Sequence, residues 1–424
     1  MRGPELNDLV LRTLNQARPA DTLSILSSLM SEHLDTQEVR LLLVNYQLTA
    51  LHPIYDPDSA EELADSAAGR AFVEQTPGVR EVVPHGAEVN LPMGVRGDRV
   101  GVLQLRLRST PDTAQLTDLV QLSTVVTHAL RAASRQSDLL VQTSRTRRLS
   151  LAAELQWQLL PGRGCAAPEY AVAGHLEPAY QVCADAFDWS QDEDHLTLAI
   201  VDGSDGRRVD VLLTTLALTA LRNARRAGLP IADQAMLTDQ AIYAHHQGRE
   251  HVGLLLLQIN ADTGCVDALL AGAPRLLIRR EEQILEPALT DHTPLGMFGE
   301  SDYTEEHFTL QAGDRLLLIS DGVHTARPDH TKHSDERVRF GDVNLLTLMH
   351  DTAEQSVCGV VRTVIEQLYQ HRGHHDLDDD AVVLCADWTG PGPVSDMAQG
   401  RAADVELPPT IARRGPVSLR AVAD

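Results

Sequence analysis

Apolar positions recur at helical spacing over residues 5–33, where Leu9, Val10, Leu14, Leu23, Leu26, Leu29 and Met30 mark one face and Pro19 interrupts it. The run VRLLLVNY (39–46) has the length of a strand, and SAEELADSAAGRAFVEQ (59–75) predicts a helix with Ser59 as its N-cap. REVVP (80–84) reads as a short strand. Residues 89–107 read as a hairpin that turns at Arg96-Gly97-Asp98, beyond which Leu103, Leu105 and Leu107 alternate with Gln104 and Arg106. This order predicts an N-terminal helix over 1–19 and an α+β domain over 20–134.

From 113 to 159 a helical pattern runs without Gly or Pro, with Leu116, Leu119, Leu122, Val126 and Leu130 as its stripe. A continuous helix of that length would reach ~70 Å, too far for one small core. It therefore reads as a connector, partly coiled coil, whose stripe has no partner inside either domain and so predicts a homodimer. Residues 135–160 are its linker portion, and Pro161-Gly162 ends it. Over 161–388 strands and helices alternate. DHLTLAIVDG (194–203), HVGLLLLQIN (251–260), DRLLLISDG (314–322) and DDDAVVLCADW (378–388) read as strands, and VDVLLTTLALTALRNARRAG (209–228) as a helix closed by Gly228. The tail, 389–424, is rich in Pro, Gly, Ala and Arg without period and reads as disordered.

A chain of 424 residues exceeds one ordinary core, which agrees with two domains and linkers. Aromatic residues are only 4%, so both cores must be aliphatic. No apolar run approaches the ~20 residues of a membrane helix, and MRGPELNDLVLRTL lacks the apolar core of a signal peptide. The expected compartment is the cytoplasm. Cys165, Cys183, Cys265, Cys358 and Cys385 are odd in number and contain no C-x-x-C pair, which fits reduced thiols rather than a disulfide framework or a zinc site. The formal net charge of −24 repels phosphate backbones, which disfavours nucleic acid as a partner.

The candidate chemistry is acidic. Asp185 in VCADAFDW, Asp202-Gly203 in AIVDGSDG, Asp321-Gly322 in LLISDGVHTAR and Asp378-Asp379-Asp380 in LDDDAVVL all stand beside apolar strands. A buried strand that ends in aspartate sets a carboxylate at the sheet edge, and the adjacent glycine permits a close backbone approach or a positive φ. Clustered carboxylates raise one another's pKa. A hard divalent cation relieves that cost, and a ligand set of carboxylates without His or Cys favours Mg²⁺ or Mn²⁺ over Zn²⁺. Taken singly, an Asp-Gly after a strand reads first as an ordinary hairpin turn; four acidic sites in order, each beside an apolar strand, point to a metal site.

Two resemblances sharpen the reading. AGRAFVEQTPGVREVV and LPMGVRGDRVGVLQLRL resemble a GAF domain, which implies a sensor that binds a small ligand or mediates dimerisation. LAAELQWQLLPG (151–162), EPAYQVCADAFDW, LAGAPRLLI (270–278), TPLGMF (293–298), GDRLLLISDGVHTAR and DDDAVVL are similar to the metal-dependent protein phosphatase family (PPM, type 2C). The similarity is to its bacterial subgroup of sporulation stage II and stress-response sigma regulators. The resemblance implies an α-β-β-α sandwich over 161–388 and two Mn²⁺ or Mg²⁺ ions held by Asp185, Asp202, the Gly203 carbonyl, Asp321 and Asp378. A register shift by one would make Asp379 the ligand instead. It further implies hydrolysis of phosphoserine or phosphothreonine, on a STAS-type anti-sigma-factor antagonist. The sequence departs from the family pattern at Cys183-Ala184, at Asp205-Gly206-Arg207 and at Ala273, where the family carries Gly-Gly, Gly-His-Gly and His. These departures leave a second reading open, a degenerate scaffold that binds partner-switching proteins without turnover. Arg207 and Arg208 are candidate contacts to substrate phosphate or a solvated surface pair, and His324 stands next to the site or on the surface.

Overall fold

A computed structural model describes residues 3–82, 86–146, 150–179, 185–203, 211–328, 339–373, 377–391 and 417–422. The chain divides into two units, Met1–Arg148 and Leu149–Asp424.

In the first unit α1 (Gly3–Gln16) and α2 (Thr22–His33) are separated at Pro19, as the broken periodicity predicts. There follow β1 (Thr36–Val44), β2 (Ala50–Pro53), β3 (Glu61–Glu62), α3 (Ala67–Glu74), β4 (Gly78–Glu81), β5 (Ala87–Val95), β6 (Asp98–Leu107), α4 (Thr113–Ala133) and α5 (Leu139–Ser144). The strands form one antiparallel sheet in the order β3-β2-β1-β6-β5-β4. The β5–β6 hairpin closes on the pair Val95 and Asp98. Arg96 and Gly97 between them take φ of 51° and 84°, the two positive values that a two-residue turn of this hand requires.

Two expectations change here. The helix foreseen over 59–75 begins at Ala67, and its cap is Ser66, whose hydroxyl accepts from the Gly69 amide at 2.8 Å. The segment before it is spent on pairing, since Glu61 and Glu62 join β2. The helix foreseen over 113–159 is broken into α4, α5 and, in the second unit, a separate helix over Leu151–Leu159. Serines interrupt it in place of Gly or Pro. Ser134 Oγ donates to the Arg131 carbonyl at 2.8 Å, Ser137 Oγ accepts from the Leu139 amide at 3.2 Å, and Ser150 Oγ caps Ala153 at 3.1 Å; such local bonds compete with the helical ladder. The stripe of α4 also has a partner after all. Leu119, Leu122, Val126 and Leu130 are buried with Leu6, Val10 and Leu14 of α1 and with Leu91, Leu103 and Leu105 of the sheet. That face is covered within its own unit, which removes the reason for expecting it to bind a second copy.

The second unit opens with α6 (Leu151–Leu159), then β7 (Gly164–Ala167), β8 (Tyr170–Glu177), β9 (Ala186–Gln191), β10 (His195–Gly203), α7 (Val211–Arg226) and α8 (Ile231–His246). The chain continues through β11 (Val252–Asn260), β12 (Cys265–Ala271), β13 (Arg275–Arg280), β14 (Gln283–Pro287), β15 (Asp291–His292), β16 (Glu306–Thr309) and β17 (Arg315–Ile319). It ends with α9 (Asp321–His324), α10 (Phe340–Asp351), α11 (Val357–His371), β18 (Ala381–Trp388) and β19 (Leu419–Ala421). One sheet runs β15-β12-β11-β10-β9 with β16 on β12, and the other runs β19-β14-β13-β17-β18-β8-β7.

The sheets pack face to face. Leu196, Leu198, Ile200, Leu255 and Leu257 of the first meet Leu176, Leu316, Leu318, Val382 and Leu384 of the second. The outer face of the first sheet carries α7 and α8, where Ala199, Val201, Leu254 and Leu256 pack on Leu213, Leu218, Leu221 and Ile242. Helix α11 lies on β8 and β18, which completes an α-β-β-α sandwich. Strand β10 is thus buried on both faces, which is why its sequence is a continuous apolar run rather than an alternating one. In the tail expected to be disordered, Leu419–Ala421 instead pair with β14, and Leu419 packs against the sandwich core. Among the described residues no helix is long and apolar enough to cross a membrane.

Candidate metal centre

Three of the acidic positions converge. Asp185 immediately precedes β9, Asp202 stands near the end of β10, and Asp321 is the first residue of the short helix α9 after β17. Antiparallel pairing of Val201 with Ala186 brings the first two side by side at one edge. One carboxylate oxygen from each of Asp185, Asp202 and Asp321 lies within 4.8 Å of the others. Asp185 and Asp202 are each only 1% exposed.

Backbone amides orient the cluster. The Gly203 N–H donates to Asp185 Oδ1 at 3.0 Å, and the Asp321 N–H donates to Asp202 Oδ2 at 2.9 Å. The Asp-Gly pairs are therefore more than turns. Gly203 is a strand residue whose amide holds a neighbouring carboxylate. At Gly322 an added Cβ would stand 1.9 Å from the Asp380 carbonyl oxygen, so only glycine permits the approach between α9 and the start of β18.

The electrostatics suit a cation. Burial, and then the charges of Asp202, Asp380, Asp379 and Asp321, hold the Asp185 carboxyl well above the usual carboxylate range. Asp185 Oδ2 is buried without a hydrogen-bond partner among the described residues. An orphaned carboxylate oxygen inside a ring of like charges fits an oxygen-seeking divalent ion, which would supply the missing partner and relieve the repulsion.

The acidic triplet divides three ways. Asp378 does not join the cluster: its carboxylate is 77% exposed and is gripped bidentately by Arg372 at 2.6 and 2.7 Å. The charge of Asp379 is among those that raise the Asp185 carboxyl. Asp380 is wholly buried and accepts from the Ala179 amide at 2.8 Å and from Gln156 Nε2 at 2.7 Å. Neither Asp380 nor Gln156 was marked as a site residue from the sequence. The available signals were a glutamine flanked by Leu155 and Trp157 and an aspartate abutting the apolar run of β18.

Of the remaining candidates, His324 Nε2 lies 3.0 Å from the carbonyl of Ala273. Burial first, then Arg275 and Arg339, hold its pKa below the usual histidine value. Cys183-Ala184, Asp205-Gly206-Arg207 and Arg208 lie outside the described residues.

Residues 192–389 match the family model described as stage II sporulation protein E (SpoIIE). No curated protein matches the chain. Among solved structures it is similar to the RsbU and RsbW domains of a Mycobacterium tuberculosis protein, at 19% identity and a TM-score of 0.43, over 53% of this chain and 63% of that one. It is also similar to the PP2C phosphatase domain, with a fragment of the regulatory domain, of SpoIIE from Bacillus subtilis, at 17% identity and a TM-score of 0.43, over 53% and 65%. A third is the Mycobacterium tuberculosis serine/threonine phosphatase PstP, at 17% identity and a TM-score of 0.37, over 52% and 99%. The chain spans less than two thirds of the first two.

Proposed function

Starting from the match of residues 192–389 to the family model of stage II sporulation protein E, we propose that the chain is a phosphatase that dephosphorylates phosphoserine or phosphothreonine on a STAS-type anti-sigma-factor antagonist. We propose further that its N-terminal GAF-like unit sets the rate. The observation that carries the reading is the convergence of Asp185, Asp202 and Asp321, with Asp185 Oδ2 left unpaired among the described residues.

Asp185, Asp202 and Asp321, with Asp379 and the Gly203 carbonyl, would hold Mn²⁺ or Mg²⁺. Two such ions, when bound, supply a water of lowered pKa and positive charge against the phosphoryl oxygens. The chain's own residues do the rest. The amides of Gly203 and Asp321 fix how the Asp185 and Asp202 carboxylates face. Burial keeps those carboxylates out of bulk water, so their charge acts more strongly than it would in solvent. In this reading the phosphoryl group would pass to water directly rather than to a side chain of the protein.

The test is release of phosphate from p-nitrophenyl phosphate and from a phosphoserine peptide across a manganese titration. Activity is expected to require the metal, to vanish with chelator and to be lost in Asp202→Asn and Asp321→Asn while the fold survives. Near-normal activity in both variants would rule out the site. A scaffold without turnover is the competing reading, favoured by Ala273 where the family carries histidine. A wild-type protein silent throughout the titration would establish it instead.

A further inference from the structure

We propose that Gln156, on α6, is a positioning residue of the metal centre: its side-chain amide ties the Asp380 carboxylate to the main chain of Asp185 and so sets where the Asp185 carboxylate stands. The inference rests on the phosphatase reading above.

Gln156 is wholly buried in the middle of α6. Its Nε2 donates to the Asp185 carbonyl at 2.8 Å and to Asp380 Oδ2 at 2.7 Å. A carbonyl and an ionised carboxylate both accept only, so the amide can face them in one orientation alone. That choice leaves Gln156 Oε1 buried without a partner among the described residues, a cost the two donated bonds must outweigh.

Asp380 extends the clamp. Its Oδ1 accepts from the Ala179 amide at 2.8 Å, and its Oδ2 lies 3.4 Å from the Asp185 amide. One carboxylate thus accepts from the amides of both Ala179 and Asp185. Asp185 is then held at its carbonyl by Gln156, at its amide by Asp380 and at Oδ1 by Gly203. Its unpaired Oδ2 is the atom left to face a cation. The same bonds occupy Asp380, which explains how a fully buried aspartate can adjoin the cluster without belonging to it.

The residue type matters. A neutral amide solvates Asp380 without cancelling the negative charge that draws the metal. Methionine would keep the volume and lose both donors. Asparagine would fall one methylene short of both acceptors.

The experiment uses the full-length chain. Manganese affinity is measured by titration calorimetry, and p-nitrophenyl phosphate kinetics are measured at saturating manganese, for wild type and Gln156→Met. Removing a group that orients a metal ligand is expected to weaken manganese binding by about tenfold or more. The KM for p-nitrophenyl phosphate at saturating metal should stay within about twofold, because the substrate does not touch Gln156. A folded Gln156→Met whose manganese affinity is unchanged overturns the proposal. Should that variant fail to fold by circular dichroism, Asp380→Asn decides in its place: it keeps the shape of the clamp and weakens its acceptor, so manganese affinity should fall, and an unchanged value refutes the clamp. A wild-type chain that neither binds manganese nor hydrolyses the substrate would sink the phosphatase reading itself and this proposal with it. Normal wild-type behaviour beside an unaffected variant sinks only the role of Gln156.

Discussion

Asp378 and Asp379 are neighbours with the same side chain, yet Arg372 claims the first while the second bears on Asp185. A run of three aspartates carries no internal mark of register. The deciding group is a guanidinium six positions upstream, and nothing in the local pattern says which carboxylate it will take. The expected outcome is that Asp379→Asn lowers manganese affinity about tenfold or more, whereas Asp378→Asn leaves it within about twofold; equal losses would return both residues to the site. The bond between Gln156 and Asp380 was illegible for a related reason, since they meet across 224 positions of sequence. Asp185, Asp202 and Asp321 were legible because each abuts an apolar strand.

His324 offers a test of sign. Its folded pKa is depressed, chiefly by burial. As pH falls through the unfolded histidine value of about 6.5, the unfolded chain takes up a proton that the native state refuses, and stability falls. The stability lost between pH 7 and 5.5 should therefore be smaller in His324→Gln than in wild type, measured by urea unfolding of the metal-free protein. Parallel losses would show that burial of this ring costs nothing.

Elements were readable where burial is symmetrical. Strands β10, β11 and β17 are largely apolar because the sandwich covers both faces, and the β5–β6 hairpin announced itself through Arg96-Gly97. The misread elements are those that tertiary contacts decide. Glu61 and Glu62 gave up a helical pattern for strand pairing, and a stripe that could have served a coiled coil went instead into the unit's own core. Composition misled at the chain's end, where low apolar content hid three residues able to extend a sheet. Strand β19 extends β14 by pairing Leu285 with Ala421 and Pro287 with Leu419, and the Val417 amide donates to the His307 carbonyl at 2.7 Å. Burying Leu419 in part contributes about 1 kcal/mol. Ending the chain after residue 416 should thus lower the melting temperature by about 2–4 °C. Manganese-dependent activity should be unaffected, because β14 is two strands removed from β17 in the sheet order. An unchanged melting temperature would mean that β19 adds nothing to the sandwich.

At the scale of the whole molecule, the question is whether the first unit acts on the second. Each has its own core, and the division falls between Arg148 and Leu149, just before α6. The first helix of the second unit is therefore also the one that carries Gln156 to Asp185 and Asp380. A carboxylate cluster held against its own repulsion is sensitive to small changes in any group that orients it, so a shift of α6 would alter metal occupancy before it altered the fold. A ligand or contact that favours one arrangement of α6 can move the population of the competent site only by its differential affinity. Such couplings are typically about 1–3 kcal/mol, or about 5- to 150-fold. We expect deletion of residues 1–148 to change manganese affinity or phosphatase activity several-fold, in a direction the geometry leaves open. Kinetics of the truncated and full-length proteins across the same manganese titration decide it. If the first unit acts through α6, the curves should separate along the metal axis and converge at saturation. Superimposable curves would show that the two units are tethered without being coupled.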